Sequence, residues 1–185
     1  MKLYGSYTSP YVRHCRIVIM ETGLLCTFIE TDYAASAQGS PTKRVPYLHD
    51  GPVALTDSAS IIKHLRKRAG QAFLPDVAEY DRFCMANTGL DATVNLFLLE
   101  RDGVTPEQSI YLARQSQRIA STLAELDKLP LPTQAPYSDA ELRLACYLGW
   151  GLFRQRITLE PYPNLARFLN DIDQYEPFRT TAPPQ

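Results

Sequence analysis

Residues that usually announce a special chemistry are scarce in this sequence. Its 185 residues include four cysteines, three histidines and one tryptophan. Cys15, Cys26, Cys84 and Cys146 are scattered, with no C-x-x-C pair. That spacing speaks against a zinc site or a disulfide framework and for a reducing, cytoplasmic setting. His14, His49 and His64 have no metal-ligand spacing either, so no metal is expected. No uncharged apolar run approaches the roughly 18 residues of a membrane span. The opening Met-Lys-Leu-Tyr-Gly-Ser-Tyr lacks the charged region and apolar run of a signal peptide. There is no internal repeat, and no basic stripe interleaved with aromatics, so neither a membrane nor nucleic acid is expected as partner.

What is present is enough for a packed core: 45% of residues are hydrophobic and 21% charged, with net charge −1. The near-neutral balance hides an asymmetry. Residues 1–75 carry nine Lys and Arg against five Asp and Glu, a balance of +4, whereas residues 76–185 carry ten against fifteen, a balance of −5. A basic half joined to an acidic half fits two small domains, and the first is the better host for a small anion.

Local signals divide the chain in the same place. Met1–Ser6 reads as a strand, and Ser9-Pro10 opens a helix from Tyr11 to about Thr22 that Gly23 stops. Leu24–Thr31 reads as a second strand, and 33–44 as a loop or poorly formed helix. Val45–His49 and Val53–Thr56 flank Asp50-Gly51, a hairpin signal, and Asp57 caps a helix from Ser58 to Ala69. The order β-α-β then β-β-α predicts an α/β sandwich over residues 1–75, with Gly70–Pro75 as linker. Beyond it strand signals vanish. Asp76-x-x-Glu79, Thr105-Pro106-x-Gln108 and Ser138-x-x-Glu141 resemble capping boxes. They precede helical periodicity over 77–101, 106–128 and 139–157, and a shorter helix follows near 164–174. Residues 76–185 are therefore expected to be all-helical, with Thr180–Gln185 a loose tail.

Three features of the first half can carry chemistry, and each also has a plain structural use. Ser9-Pro10-Tyr11 sits at a helix N-terminus, where free amides and the helix dipole favour an anion and a hydroxyl can donate to it; Ser9 equally serves as a simple cap. Val45-Pro46 opens a strand, either as an ordinary strand-entry proline or as a cis turn that frees the Val45 main chain to pair with an extended ligand. Asp57-Ser58 opens another helix, and can hold an ammonium and a carboxylate or merely cap. The run Lys63–Arg68 reads as a solvated basic helix end, Asn95–Leu99 as core or dimer surface, and Tyr147 and Trp150 as core.

Ser9-Pro10-Tyr11-x-x-x-x-Arg16-Ile17, Val45-Pro46-Tyr47-Leu48 and Thr56-Asp57-Ser58-x-x-Ile61 occur in that order. Tyr137-Ser138-x-x-Glu141, Pro163-Asn164-Leu165 and Pro177-Phe178 follow them. Together they resemble the glutathione transferase superfamily over nearly the whole chain. The resemblance implies a thioredoxin-like domain (1–75) followed by an all-helical domain (76–185) that contributes the electrophile site and dimer contacts. It implies glutathione as co-substrate, a small hydrophobic electrophile, and a homodimer. Val45 and the cis Pro46 are implied to meet the cysteinyl backbone of glutathione, Asp57-Ser58 its γ-glutamyl end, and Arg44 its glycine carboxylate. Ser9 and Tyr11 are implied to join these residues in binding glutathione, and Tyr11 and part of the first long helix of the second half to line the electrophile site.

The Ser-Pro-aromatic motif resembles bacterial serine-type members of tau or omega kind. In that pattern Ser9 hydrogen-bonds the sulfur, with Tyr7 or Thr8 as the alternative hydroxyl. Omega and glutaredoxin-like members begin the motif with cysteine, so Ser9 argues against a reductase using its own thiol. A non-catalytic regulatory or scaffolding relative, or a glutathione-dependent reductase or peroxidase, are the alternative functions. The chain is short for the superfamily, which implies trimming in the helical half or in 33–44.

Overall fold

The computed structural model describes residues 1–184. The chain divides into two compact units: Met1–Phe73 with the segment from Gln174 onward, and Leu74–Asp173.

In the first unit β1 (Lys2–Gly5), α1 (Pro10–Thr22), β2 (Thr27–Glu30), α2 (Tyr33–Gly39), β3 (Tyr47–Asp50), β4 (Val53–Leu55) and α3 (Ser58–Arg68) follow one another. The four strands form one sheet in the order β2-β1-β3-β4. β1 runs parallel to β2 and antiparallel to β3, and β4 is antiparallel to β3. This is the crossover pair followed by a hairpin that the sequence order predicts, and it is a thioredoxin-like arrangement.

Side-chain alternation decides what each sheet face meets. Leu3 lies opposite Leu48, and both point into a core with Cys15 and Val18 of α1 and Ile61, Ile62 and Leu65 of α3. On the other face Tyr4 stacks on its cross-strand partner Tyr47, centroids 4.5 Å apart and planes at 7°. Gly5 closes β1 at a place with no room for a side chain: a Cβ there would sit 2.5 Å from Val12 Cγ2. The missing Cβ lets the first turn of α1 lie directly on the end of the strand.

The irregular reading of 33–44 is corrected in part. Asp32 caps α2, its Oδ1 accepting from the Ala35 amide at 2.7 Å. This one cap organises seven residues whose Ala, Ser and Gln show no apolar period.

The second unit is all helical: α4 (Val77–Arg101), a short 3-10 turn (Pro106–Gln108), α5 (Ile110–Leu126), α6 (Asp139–Phe153) and α7 (Pro163–Ile172). α4 packs on both α5 and α6. Eleven of the fifteen residues of α6 are buried, so it is the central helix, and its apolar character all round follows from that position. It starts at the expected capping box, with the Ser138 amide donating to Glu141 Oε2 at 2.7 Å and the Glu141 amide to Ser138 Oγ at 3.4 Å. α5 begins four residues later than expected because Ser109 is extended. α6 ends four residues earlier, just before Gln155 with φ of 56°. Asn164 Nδ2 donates to the carbonyls of Asp127 and Leu129 and fixes the start of α7 against the end of α5.

The loose-tail reading is corrected at Thr180 and Thr181. α8 (Glu176–Thr180) and Thr181 belong to the first unit. Thr181 and Phe178 are buried. Arg13 Nη2 donates to the Phe178 carbonyl at 2.7 Å while its guanidinium lies 3.6 Å from the Phe178 ring centroid. The Tyr175 hydroxyl donates to Glu21 Oε1 at 2.7 Å, and Glu21 Oε2 pairs with Arg66 at the same distance. Gln185 lies outside the described residues.

Two outcomes follow. Gly5→Ala forces the β-branched, conformationally stiff Val12 to move, and should cost about 1–3 kcal/mol, read as a lower urea midpoint at unchanged slope. Tyr147 is fully buried and hydrogen-bonded to Thr93 Oγ1 at 2.9 Å; burial above all pushes its pKa up from 10 to about 12, against the Thr93 bond. A folded pKa raised above the unfolded one gives stability that is complete below pH 10 and lost as pH climbs through about 12. Two units correspond to roughly 2–3 kcal/mol. Tyr147→Phe should therefore flatten the alkaline fall of unfolding free energy measured between pH 9 and 12.

Candidate functional site

Strand pairing brings the three sequence features to one edge of the sheet. Tyr4 opposite Tyr47 places the start of β3, and so Val45-Pro46, beside the end of β1 where α1 begins. Leu48 opposite Leu55 places the end of β4, and so Asp57-Ser58, at the same edge. Two helices of 13 and 11 residues, α1 and α3, thus start at this edge. Their N-termini together favour negative charge. The two helices also pack on each other, and Cys15 Sγ lies 3.9 Å from the Ser58 carbonyl.

Ser9 is the N-cap of α1, in extended backbone conformation with Pro10 next. Its amide donates to the Ser6 carbonyl at 3.1 Å, closing the Ser6–Ser9 turn, and its carbonyl accepts from the Arg13 amide at 2.9 Å. Its Oγ accepts from the Val12 amide at 3.4 Å. A hydroxyl has one proton and two lone pairs, so the capping bond leaves the proton of Ser9 available to a ligand. The capping and donor roles of this residue are compatible.

The alternative hydroxyls are differently engaged. The Tyr7 ring packs on Phe28 of β2, centroids 4.7 Å apart, and carries the Arg16 guanidinium 4.7 Å from its centroid. This ties Tyr7 toward the β2 side of the sheet, away from β3 and β4. Thr8 Oγ1 lies 3.1 Å from Ser6 Oγ within the turn. Tyr11 is half-buried in the first turn of α1. Burial pulls the Arg16 pKa down, Tyr7 opposing it; an arginine stays cationic regardless.

The Val45-Pro46 peptide is cis; Pro46 is buried and Val45 half-buried. Ser58 is buried, while Arg44 and Asp57 are exposed, with Arg44 Nη2 3.8 Å from Asp57 Oδ2. Asp57 uses its other oxygen as helix cap, Oδ1 accepting from the Ala59 amide at 2.8 Å. The structure thus joins Arg44 to Asp57 and ties Ser58 to α1. It does not draw Tyr7 toward them. Arg13 and Thr181 were not singled out from the sequence, although Arg13 lies within the Ser9–Ile17 motif and Thr181 just beyond the Pro177-Phe178 pair.

All four cysteines are free thiols, and burial pushes the Cys26 thiol up. Among the described residues no group of three His, Cys, Asp or Glu could hold a metal ion, and no helix is long and apolar enough to cross a membrane. Because the Arg44–Asp57 pair is exposed, its contribution to stability is small, whereas the cap is worth about 1 kcal/mol. Asp57→Ala should lower the unfolding free energy by about that amount and Asp57→Asn hardly at all, measured by urea denaturation. The Asn variant then isolates the charge for ligand-binding work.

Residues 3–73 match the family model described as glutathione S-transferase, N-terminal domain. Over 203 aligned positions the chain is 30% identical to an uncharacterised GST-like protein of Escherichia coli K12, YibF, covering all of both chains. It is 25% identical to glutathione S-transferase Z2 of Arabidopsis thaliana, over 99% of this chain and 91% of that one. A glutathione S-transferase of Methylobacillus flagellatus, solved with GSH bound, superposes with a TM-score of 0.85 at 25% identity, over 99% of each chain. Full-length likeness in sequence and in fold, with the three motifs gathered at one sheet edge, establishes that this chain belongs to the glutathione S-transferase family.

Proposed function

We propose that the protein binds glutathione at this edge and activates its thiol as thiolate for attack on a small hydrophobic electrophile. The observation that carries the reading is the convergence of α1 and α3 N-termini with the start of β3. An anionic, extended tripeptide meets there a donor hydroxyl, the main chain leading into β3 and a carboxylate. In this reading Val45, its main chain exposed by the cis Pro46 that follows it, pairs with the cysteinyl backbone, Asp57 and Ser58 take the γ-glutamyl ammonium and carboxylate, and Arg44 faces the glycine carboxylate. Tyr11, beside Ser9, lies next to the sulfur and faces the electrophile. The +4 balance of residues 1–75 supports an anionic ligand. The M. flagellatus relative, with its bound GSH, supports the ligand identity.

Ser9 supplies the activation. A thiol of pKa about 8.5 is only about 3% thiolate at pH 7. A hydrogen bond to the charged sulfur contributes about 1.5–3 kcal/mol and the helix N-terminus about 0.3–1. Together these lower the thiol pKa by about one to two units, enough to make thiolate abundant near neutrality. The engagement of the Tyr7 ring by Phe28 and Arg16 supports Ser9 as the donor. The motif supports a serine-type, bacterial member with a tau- or omega-like opening, although the plant relative carries a Z designation. A cytoplasmic homodimer, with the helical unit contributing the electrophile site and dimer contacts, completes the proposal.

Calorimetric titration with glutathione, followed by ultraviolet titration of the bound thiolate, tests it. Wild type should bind saturably, Asp57→Asn should bind at least tenfold more weakly, and Ser9→Ala should bind within about twofold with its thiol pKa raised by about one to two units. An unchanged titration in Ser9→Ala would remove Ser9 from the reaction and promote Tyr7. No binding at millimolar glutathione would leave a scaffolding protein that has kept only the fold.

A further inference from the structure

The segment Tyr175–Thr181 is bound along α1, and the residues that hold it are the ones that also hold the turn carrying Ser9. Arg16 Nη1 donates to the Thr181 carbonyl at 3.2 Å, while its guanidinium covers the Tyr7 ring at 4.7 Å and stands 5.6 Å from that of Phe28. Tyr7 is the second residue of the Ser6–Ser9 turn, which the Ser9 amide closes. Arg13, one turn further into α1, donates its amide to the Ser9 carbonyl. Its guanidinium reaches the Phe178 carbonyl at 2.7 Å and Thr181 Oγ1 at 3.5 Å. Thr181 Oγ1 in turn lies 2.8 Å from the Pro177 carbonyl, which fixes the end of α8. Arg13, Phe178 and Thr181 are all buried. Two buried or half-buried arginines therefore connect one end of the chain to both sides of the N-cap: Arg16 through the turn before Ser9, Arg13 through the helix after it.

We infer that Arg13 and Arg16 are positioning residues for the thiol-activating hydroxyl, and that the segment ending in Thr181 holds them in place. The inference rests on the reading of Ser9 given above. The Ser9 hydroxyl is effective only if its proton points at the sulfur while its lone pair stays on the Val12 amide. The capping bond is long at 3.4 Å and orients the residue weakly by itself. The orientation comes instead from the backbone on either side: Arg13 ties the helix after Ser9 to Phe178 and Thr181, and Arg16, lying on the Tyr7 ring, ties the turn before it to the Thr181 carbonyl. Glutathione affinity, by contrast, depends in that reading on Val45, Pro46, Asp57 and Ser58, at the starts of β3 and α3. Loss of the segment should thus separate thiolate formation from binding.

The test uses the full-length protein, a chain ending at Thr180, and full-length Arg16→Lys. The lysine keeps the charge and a donor for the Thr181 carbonyl but has no planar group to lie on Tyr7. Glutathione affinity is measured by calorimetry, the bound thiol pKa by ultraviolet titration, and folding by thermal melting. The shortened chain should bind glutathione within about threefold of full length, with a thiol pKa higher by about one unit. Its conjugation rate with a chlorodinitrobenzene probe should fall about tenfold at pH 6.5 and recover at pH 9, where the thiolate forms without help. Arg16→Lys should fall between the two. Equal thiol pKa values in full-length protein and Arg16→Lys overturn the inference, whether or not the shortened chain folds. So does a shortened chain whose rate loss is independent of pH. Absence of glutathione binding in full-length protein overturns it too, together with the function on which it rests. A normal thiol pKa in Arg16→Lys beside a raised one in Ser9→Ala overturns the inference alone.

Discussion

The antiparallel pairing of β1 with β3, Lys2 opposite His49 through Tyr4 opposite Tyr47, is the constraint on which the candidate site depends. It sets Leu3 and Leu48 together on the face covered by α1 and α3 and stacks Tyr4 on Tyr47 on the other. A slip of one residue would exchange the two faces, burying tyrosine hydroxyls under the helices and exposing the leucines. The same register fixes which loop ends lie side by side. The end of β1 meets the start of β3, and the hairpin returns the end of β4 to that edge. Three segments far apart in sequence become neighbours through backbone pairing elsewhere in the sheet. The polar residues there are free to be chosen for ligand chemistry, because the core behind them holds the geometry.

In the proposed function one atom at the start of α1 has two uses. A helix N-terminus needs a side-chain acceptor for its free amides, and a thiolate needs a donor. Carboxylate caps, as at Asp32, Asp57 and Asp76, satisfy the first need only and would repel the anion. A serine satisfies both, since it accepts and donates through the same oxygen. Placed at Ser9, the hydroxyl also stands where the helix dipole adds to the stabilisation of negative charge. The acidic cap falls instead at α3, where the ligand end assigned to it carries an ammonium. The types of the two caps therefore follow the charge distribution of the proposed tripeptide.

Much of this was legible from the sequence because it is written in local rules. Ser9-Pro10 with Gly23, Asp50-Gly51 and Ser138-x-x-Glu141 each fix an element boundary within a few residues, and the structure uses every one of them. The motifs at Ser9, Pro46 and Asp57 mark the site for the same reason: helix starts and strand entries have short-range signatures. What escaped depends on partners distant in sequence. Asp32 organises α2 through a single hydrogen bond with no apolar period to reveal it. Thr181 is buried beside Arg13 and Arg16, about 165 positions away, which both reach it. Its own neighbours, Thr180, Ala182 and Pro183, read as a loose tail. The engagement of Tyr7 was equally hidden, since nothing local says that Phe28 and Arg16 enclose its ring.

The use of arginine on that side of α1 has a physical reason. The helix already commits Cys15 and Val18 to the core shared with the sheet and α3. A second apolar stripe would leave the C-terminal segment free to slide, because hydrophobic contact has no direction. Guanidinium groups have fixed donor geometry and a flat face for aromatic rings. Arg13 uses both on Phe178, and Arg16 uses the first on Thr181 and the second on Tyr7. Each arginine therefore specifies a position as well as a contact. Buried charge is costly when its partners are removed, so this arrangement favours a segment that is either fully docked or displaced as a whole. A hydroxyl that must hold its direction to within a hydrogen bond is better served by that all-or-none coupling than by a looser apolar seam.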